Sequence, residues 1–424
     1  MDRICIKPNK LSGNITIPPS KSMGHRAIIC AGLANGKSRI SHFDYSDDML
    51  ATIEAMRAIG SKIECYQNYI DVDGRHVFSN NQFLIDCNES GSTLRFMIPI
   101  SLVKKSKVQF VGRGQLGKRP LDIYYDIFDQ QGIDYTYKEN QLDLKIDGAL
   151  KADQFKIAGN VSSQFISGLL FALPLLKKDS LITLTSSLES KGYIDLTLAM
   201  LQHYGIQIDS INDRNYKIYG NQSYQAVDYH VEGDYSQAGF YLVANALKSQ
   251  IEIQGLDATS LQGDKEVIEI LERMNCVFTK EGYRNKTLET LKATEIDASQ
   301  CPDVIPVITV AASVAQGTTV IRHAERLRIK ECDRLKAIST ELNKIGAKIK
   351  ETNDGLIIQG VSSLKGGVVS SWDDHRIAMS LAIASTICEE ELIIERPDCV
   401  KKSYPGFWKD FEKLGGKFNG SKLG

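Results

Sequence analysis

The chain lacks an excess of charge of either sign: 51 Lys and Arg stand against 52 Asp and Glu, a net charge of −1. That balance excludes a nucleic-acid coat and a polybasic membrane-surface binder. No stretch approaches ~18 uninterrupted apolar residues, so no membrane span is expected. The first eight residues contain no apolar signal core. The nine cysteines (5, 30, 65, 87, 276, 301, 332, 388 and 399) form no C-x-x-C pair. Most sit in apolar runs, where a thiol behaves as a small hydrophobe, so reduced thiols and a cytoplasmic location are expected. No H-E-x-x-H motif or close His/Cys/carboxylate set occurs, so no metal is expected. An apolar share of 42% and a charged share of 24% are ordinary for a globular protein, and 424 residues suffice for a large core.

What is present is a repeat. Six segments share a short apolar strand, a small-polar turn and an apolar helix, beginning near Ile17, Ile85, Ile157, Val231, Ile296 and Val369. They recur at intervals of 65 to 74 residues, so six units account for almost the whole chain. A second set of amphipathic helices interleaves with the first. Leu335, Ile338, Leu342 and Ile345 mark the buried face of one of them. Each runs into a Gly or Asn, the signature of a left-handed helix stop. The pattern is α/β. The first helix of each unit is apolar nearly all round and is expected inside; the second is expected outside. Equivalent helices then point the same way, and the polar turns at their N-termini gather on one side.

Those turns carry Ser20-Lys21-Ser22 through Arg26, Ser90-Gly91-Ser92 through Arg95, Ser162-Ser163-Gln164, Asp234-Tyr235-Ser236, Pro302-Asp303 and Asp374-His375-Arg376. Before the outer helices stand Lys118-Arg119-Pro120, Ser190-Lys191-Gly192-Tyr193, Lys330-Glu331-Cys332-Asp333-Arg334 and Lys402-Ser403. Each Ser or Asp alone reads as a helix cap, and Lys330, Glu331 and Arg334 alone read as a solvated helix face. The cations read differently. A positive charge at a helix N-terminus opposes the dipole. Lys21, Arg26, Arg119, Lys330, Arg334, Arg376 and Lys402 repeat that cost, which implies a bound, multiply charged anion. His375 is the one histidine inside a charged helix start. The other six read as solvated or capping, with His25 the exception.

Two glycine motifs compete with this reading. Gly32 through Ser38 resembles a P-loop but has three residues between its glycines instead of four, and follows a helix. Gly112-Arg113-Gly114-Gln115-Leu116-Gly117 matches G-x-G-x-x-G after a strand, yet Pro120 reads as the opening of the helix, so the loop ends before it.

Taken together in order, these motifs resemble the EPSP synthase family of enolpyruvyl transferases from end to end. The markers include Pro19 to Arg26, Ser90 to Arg95, Lys118-Arg119-Pro120, Val161 to Phe165, Ser190 to Asp195, Pro302-Asp303, Lys330 to Leu335, Asp374 to Met379 and Lys402 to Pro405. The resemblance implies a two-domain inside-out α/β barrel, each domain three repeats of a βαβαββ unit with buried parallel helices. One domain is expected at 13–230, inserted into another made of 1–12 plus 231–424, with the active site in the cleft between them and closure on substrates. It implies transfer of enolpyruvyl from phosphoenolpyruvate to the 5-hydroxyl of shikimate 3-phosphate, with release of phosphate, and neither cofactor nor metal. No nucleic-acid or membrane partner is implied, and a monomer is expected.

By the same resemblance, Asp303 takes the proton of the attacking hydroxyl, Glu331 protonates the methylene, and Lys21 stands close to the reacting centre. Lys21, Ser22, Arg26, Ser162, Ser163, Ser190, Asp303 and Lys330 match contacts to shikimate 3-phosphate. Lys21, Gly91, Arg119, Gln164, Arg334, Arg376 and Lys402 match contacts to phosphoenolpyruvate. Ser92, Tyr193 and His375 complete the expected substrate-binding set. Glu89, Ser90 and Ser92 depart from the family's usual Asn-Ala-Gly-Thr turn, as do Arg326 and the pair Gly24-His25. Reduced sensitivity to glyphosate is expected from groups packed around Gly91. The nearest rival is UDP-N-acetylglucosamine enolpyruvyl transferase, whose members usually carry a reactive Cys before Arg-Pro; the loop from Gly112 to Pro120 has none. A non-catalytic anion-binding protein on the same scaffold is opposed by the presence of both Asp303 and Glu331.

Overall fold

The computed structural model describes residues 3–212, 214–286 and 289–420. The chain divides into two compact units, Met1–Pro18 with Gly233–Gly424, and Pro19–Glu232. Each has its own apolar core.

In the continuous unit, three four-stranded sheets share one pattern. The sheet Gln82–Asp86, Ser106–Val111, Gln141–Gly148 and Asp134–Lys138 has a parallel pair followed by two antiparallel pairings. The sheet Gln154–Ile157, Ser180–Leu184, Asn215–Ile218 and Ile208–Asn212 repeats it. Such a sheet follows from a βαβαββ unit. The first two strands are joined through a helix and can be parallel, while the last two form a hairpin. The third sheet of this unit takes its parallel strand, Tyr229–His230, from the far end of the unit, beside Lys37–Ser41. The chain thus closes its own first repeat.

The discontinuous unit uses the same device at the N-terminus. Arg3–Lys7 lies antiparallel between Leu392–Glu395 and Lys417–Asn419, completing the sixth repeat. Ser12–Thr16 runs parallel to Gln250–Gln254 and supplies the first strand of the fourth. Ile15 and Ile17 belong to that unit's core with Ile251. The boundary expected at residue 13 therefore falls after Pro18. Strand pairing across ~240 residues, not local sequence, decides it.

The inner helices are buried because they have no polar face to expose. Every residue of Tyr235–Ala246, Ile305–Ala312 and His375–Ala384 is buried, and these three pack on one another. Ile305–Ala312 is rich in β-branched residues, so tertiary burial overrides weak helix propensity there. Lys21–Leu33, Gly91–Ser101 and Ser163–Ala172 are the counterparts in the other unit. The outer helices are amphipathic; Glu266–Arg273 buries Val267, Ile270 and Leu271. Five of these helices run into a left-handed glycine at 60, 132, 205, 346 or 415, and the sixth into Asn275. Within each unit the three sheets remain separate around the helices. All nine cysteines are unpaired. Among the described residues, no helix is long and apolar enough to cross a membrane.

Candidate active site, in two half-sites

The two units cap their inner helices with different chemistry. In the continuous unit the caps are serines. Ser20 Oγ accepts from Met23 N at 3.4 Å, Ser90 Oγ from Thr93 N at 3.1 Å and Ser162 Oγ from Gln164 N at 3.3 Å. In the discontinuous unit Asp234 and Asp374 cap two helices, and Asp303 sits in the single turn leading into the third. Neutral caps leave the positive helix ends available to an anion; aspartates bring negative charge that pairs with cations.

The continuous half-site is accordingly cationic. Lys21 Nζ lies 2.8 Å from Asp48 Oδ2. Gly91 stands against Arg119: a Cβ here would lie 2.6 Å from Nη1 of Arg119 and 3.6 Å from Oε1 of Gln164. Gln164 is held from both ends. Its Oε1 accepts from Arg95 Nη1 at 2.7 Å, and its Nε2 donates to Ser92 Oγ at 2.9 Å. Ser190 is buried with a left-handed φ of 53°. For a non-glycine residue that conformation costs of order 1–3 kcal/mol and is found where function requires it. Ser22 is half-buried and Ser163 buried at these helix starts.

Arg26 is anchored within its own unit. It is buried, and its Nε donates to Thr197 Oγ1 at 2.9 Å, Nη1 to the Ser22 carbonyl at 2.7 Å and Nη2 to the Tyr193 carbonyl at 2.7 Å. It ties the Ser22 turn to the first turn of helix Lys191–His203, so it positions both Ser22 and Tyr193. His25 is buried too. Its Nδ1 meets Thr52 Oγ1 at 2.7 Å, Thr52 meets Thr93 at 2.7 Å, and Thr93 Oγ1 donates to Ser90 Oγ at 2.8 Å. Burial first, then Lys21 and Arg26, hold the imidazole pKa well below its usual value. His25 is thus a neutral link in a hydroxyl chain that supports the Gly91 turn.

The Glu89 carboxylate lies beside Gly114: a Cβ there would meet its Oε2 at 2.5 Å. The G-x-G-x-x-G signal has a packing explanation. Gly117 lies against the Gln141–Leu142 backbone, and Gly112 lies 2.8 Å from the Asn88 carbonyl by the same measure. Pro120 does not open the next helix, which starts at Asp122 after a single 3₁₀ turn, Leu116–Lys118.

The discontinuous half-site is an ion network centred on Arg334, whose side chain is 2% exposed. Its Nη1 donates to Asp303 Oδ1 at 2.9 Å, its Nη2 to Glu331 Oε2 at 2.7 Å and its Nε to Asp374 Oδ2 at 2.7 Å. Asp303 also faces Lys330 Nζ and Arg376 Nη2, each at 3.4 Å. Burial works to raise the Asp303 pKa, but Lys330, Arg376 and Arg334 outweigh it and hold the carboxyl well below the usual range. Asp303 is therefore a carboxylate at neutral pH. Arg376 is 2% exposed, yet its Nε and Nη1 have no hydrogen-bond partner among the described residues. A buried guanidinium with two idle donors is what an anion receptor presents. His375 is buried, with Nδ1 3.9 Å from Asp374 Oδ1. Lys402 Nζ donates to the Asp373 carbonyl at 2.8 Å. Trp372 and Asp373, just before the Asp374 cap, are both left-handed.

Four residues of these clusters were not singled out as site residues from sequence. Arg95 lay within a marker motif without an assigned role. Asp374 read as a cap, which it is, and its bond to Arg334 spans 40 positions. Asp48 pairs with Lys21 across 27 positions. Asp264 lies in the short turn Gly263–Lys265 ahead of an outer helix, away from the marker motifs.

An EPSP synthase (3-phosphoshikimate 1-carboxyvinyltransferase) family model matches residues 6–411. The chain belongs to the EPSP synthase family. It is 57% identical over 423 residues to a Clostridium perfringens protein named 3-phosphoshikimate 1-carboxyvinyltransferase, covering 99% of this chain and 100% of that one. It is 55% identical over 434 residues to the protein of that name from Clostridium beijerinckii, covering both chains fully. A solved EPSP synthase from Acinetobacter baumannii superposes with a TM-score of 0.81 at 25% identity, over 99% of this chain and 100% of that one.

Proposed function

We propose that the enzyme transfers enolpyruvyl from phosphoenolpyruvate to the 5-hydroxyl of shikimate 3-phosphate and that the two half-sites serve this one reaction. One observation carries the reading: Asp303 is ionised by three cations and shares Arg334 with Glu331. A base and a candidate acid thus sit on one guanidinium.

In this reading Asp303 takes the proton as the 5-hydroxyl oxygen attacks C2 of phosphoenolpyruvate. Glu331, whose bond to Arg334 favours the carboxylate and which must therefore take up a proton when substrate anions draw on that arginine, delivers it to C3, which becomes a methyl group in a tetrahedral adduct. Elimination reverses both transfers: a methyl proton leaves, the C2–O bond to phosphate breaks, and the enol ether forms. No redox change occurs. Two phosphates and two carboxylates must be held together, which suits Lys21, Arg119, Lys330, Arg334, Arg376 and Lys402. Ser22, Ser162, Ser163 and Ser190 would donate to the shikimate phosphate, with Tyr193 and His375 shaping the pocket walls. Gly91, Ser92 and Gln164 would border phosphoenolpyruvate, and Arg26, with five N–H donors for three internal bonds, would both position Ser22 and reach shikimate 3-phosphate.

Ground-state and reacting states differ in a useful way. Three cations make Asp303 a weak base in the free enzyme. Substrate anions that take up Lys330 and Arg376 would withdraw those charges and raise its basicity when the hydroxyl arrives. The all-reduced thiols support a cytoplasmic location. Asp303→Ala and Glu331→Gln test the assignment. Each is expected to lower kcat by about 10²–10⁴-fold; activity within threefold of wild type in either variant would remove that residue from its role.

A further inference from the structure

The N-terminal turn of the fourth inner helix, Tyr235–Ala246, brings no basic residue. A loop grips it instead. Gln262 Oε1 accepts from Tyr235 N at 3.0 Å, and Gln262 Nε2 donates to the Gly233 carbonyl at 2.8 Å. Two residues on, Asp264 Oδ2 accepts from the Ser236 hydroxyl. Asp264 is 3% exposed. Its turn, Gly263–Lys265, packs against the turn Pro302–Val304 that carries Asp303. The fit is tight: a Cβ on Gly263 would lie 2.7 Å from the Gln300 carbonyl oxygen.

The reaction as assigned leaves this buried acid without a task. The charges of Asp303 in the neighbouring turn, of Arg376 on helix His375–Ala384 and of Asp234 at the start of the clamped helix all act on it. Cys301 and, on its own segment, Glu266 complete the titratable groups nearby. Arg376 is the guanidinium with two idle donors. A carboxylate beside it would compete with a substrate anion for its charge; a neutral carboxyl would not.

We propose that Asp264 is a positioning residue for the reaction, whose proton decides how much of the Arg376 charge is available to phosphoenolpyruvate. The inference rests on the assignment of phosphoenolpyruvate to Arg376. Asp264 accepts the Ser236 hydroxyl in either form, and the protonated form leaves Arg376 to the substrate and to Asp303. Burial first, then the charge of Asp303, push its carboxyl up to about 7, with Arg376 and Ser236 opposing. It is therefore neutral in weak acid and ionises near neutrality. Ionised Asp264 would draw on Arg376 and repel Asp303.

The test is the pH dependence of the KM for phosphoenolpyruvate at saturating shikimate 3-phosphate, between pH 6 and 8, in wild type and Asp264→Asn. The wild-type KM is expected to rise about tenfold across that range, as a nearby charge would dictate. Asn keeps a hydrogen-bond acceptor for Ser236 but cannot ionise, so its KM should stay within about threefold; ionisation of the substrate phosphate near pH 6 is common to both proteins. Equal pH dependence in the two proteins overturns the proposal. If Asp264→Asn does not fold, Ser236→Ala decides: it removes a bond that favours the carboxylate, so the rise in KM should move to higher pH, and an unmoved profile overturns the proposal. A wild-type protein that turns over both substrates with a flat KM overturns this inference alone. A wild-type protein inert toward them overturns the functional assignment.

Discussion

A methyl group on Gly91 would sit 2.6 Å from the Nη1 atom of Arg119. A side chain at 91 would thus displace the arginine, while the backbone conformation there makes no special demand for glycine. Gly91→Ala should push Arg119 aside and raise the KM for phosphoenolpyruvate by about tenfold, the equivalent of ~1.4 kcal/mol. The KM for shikimate 3-phosphate should change far less. Separate saturation curves for the two substrates check this, and equal effects on both would contradict it.

The same turn bears on glyphosate. Ser92, where the family usually has Thr, is tied to Gln164 at 2.9 Å, and Gln164 in turn to Arg95 at 2.7 Å. That bridge fixes the side chains bordering Gly91. Reduced sensitivity to glyphosate is expected, and a submicromolar inhibition constant at low phosphoenolpyruvate would contradict it.

Arg334 holds three carboxylates with a side chain 2% exposed. Arg334→Ala leaves Asp303, Glu331 and Asp374 facing one another without it. Breaking a buried pair costs about 3–5 kcal/mol. Arg334→Lys should recover part of the stability and little of the activity, because an ammonium cannot reproduce the guanidinium fork. Urea unfolding at pH 7 with parallel turnover assays measures both.

Stability should depend on pH through two aspartates with opposite signs. The folded-state pKa of Asp303 is depressed, so its contribution is present above the unfolded value of ~3.9 and is lost as pH falls through the folded value. Asp264 is raised from 3.8 to about 7, so its ionisation costs stability as pH rises across that interval. Asp264→Asn should therefore be more stable than wild type at pH 8, by on the order of 1–3 kcal/mol after allowing for coupling to Asp303 and Arg376. The difference should shrink toward pH 5. A variant less stable than wild type at pH 8 would contradict this sign.

Local features of the fold were legible in the sequence because local forces make them. The six-fold repeat, the buried and amphipathic helix sets, the Gly and Asn stops and the serine and aspartate caps all follow from periodicity and capping. Features requiring distant pairing were not. Nothing around residue 13 announces a parallel partner at Ile251, so the boundary was set too early. The acceptors that hold Arg26 lie on Ser22, Tyr193 and Thr197, two of them far along the chain, and left no local signal. Pro120 read as a helix start, yet the helix begins two residues later, at Asp122, with Leu121 as its cap. Asp264 carries no local signal; its surroundings come from three other segments.

The most direct test of the account is phosphate release from phosphoenolpyruvate by the purified protein, with shikimate 3-phosphate and with UDP-N-acetylglucosamine as alternative acceptors. The account predicts stoichiometric release with shikimate 3-phosphate, none with the sugar nucleotide, and near-complete loss in Asp303→Ala. Release with UDP-N-acetylglucosamine alone, or undiminished release in Asp303→Ala, would contradict it.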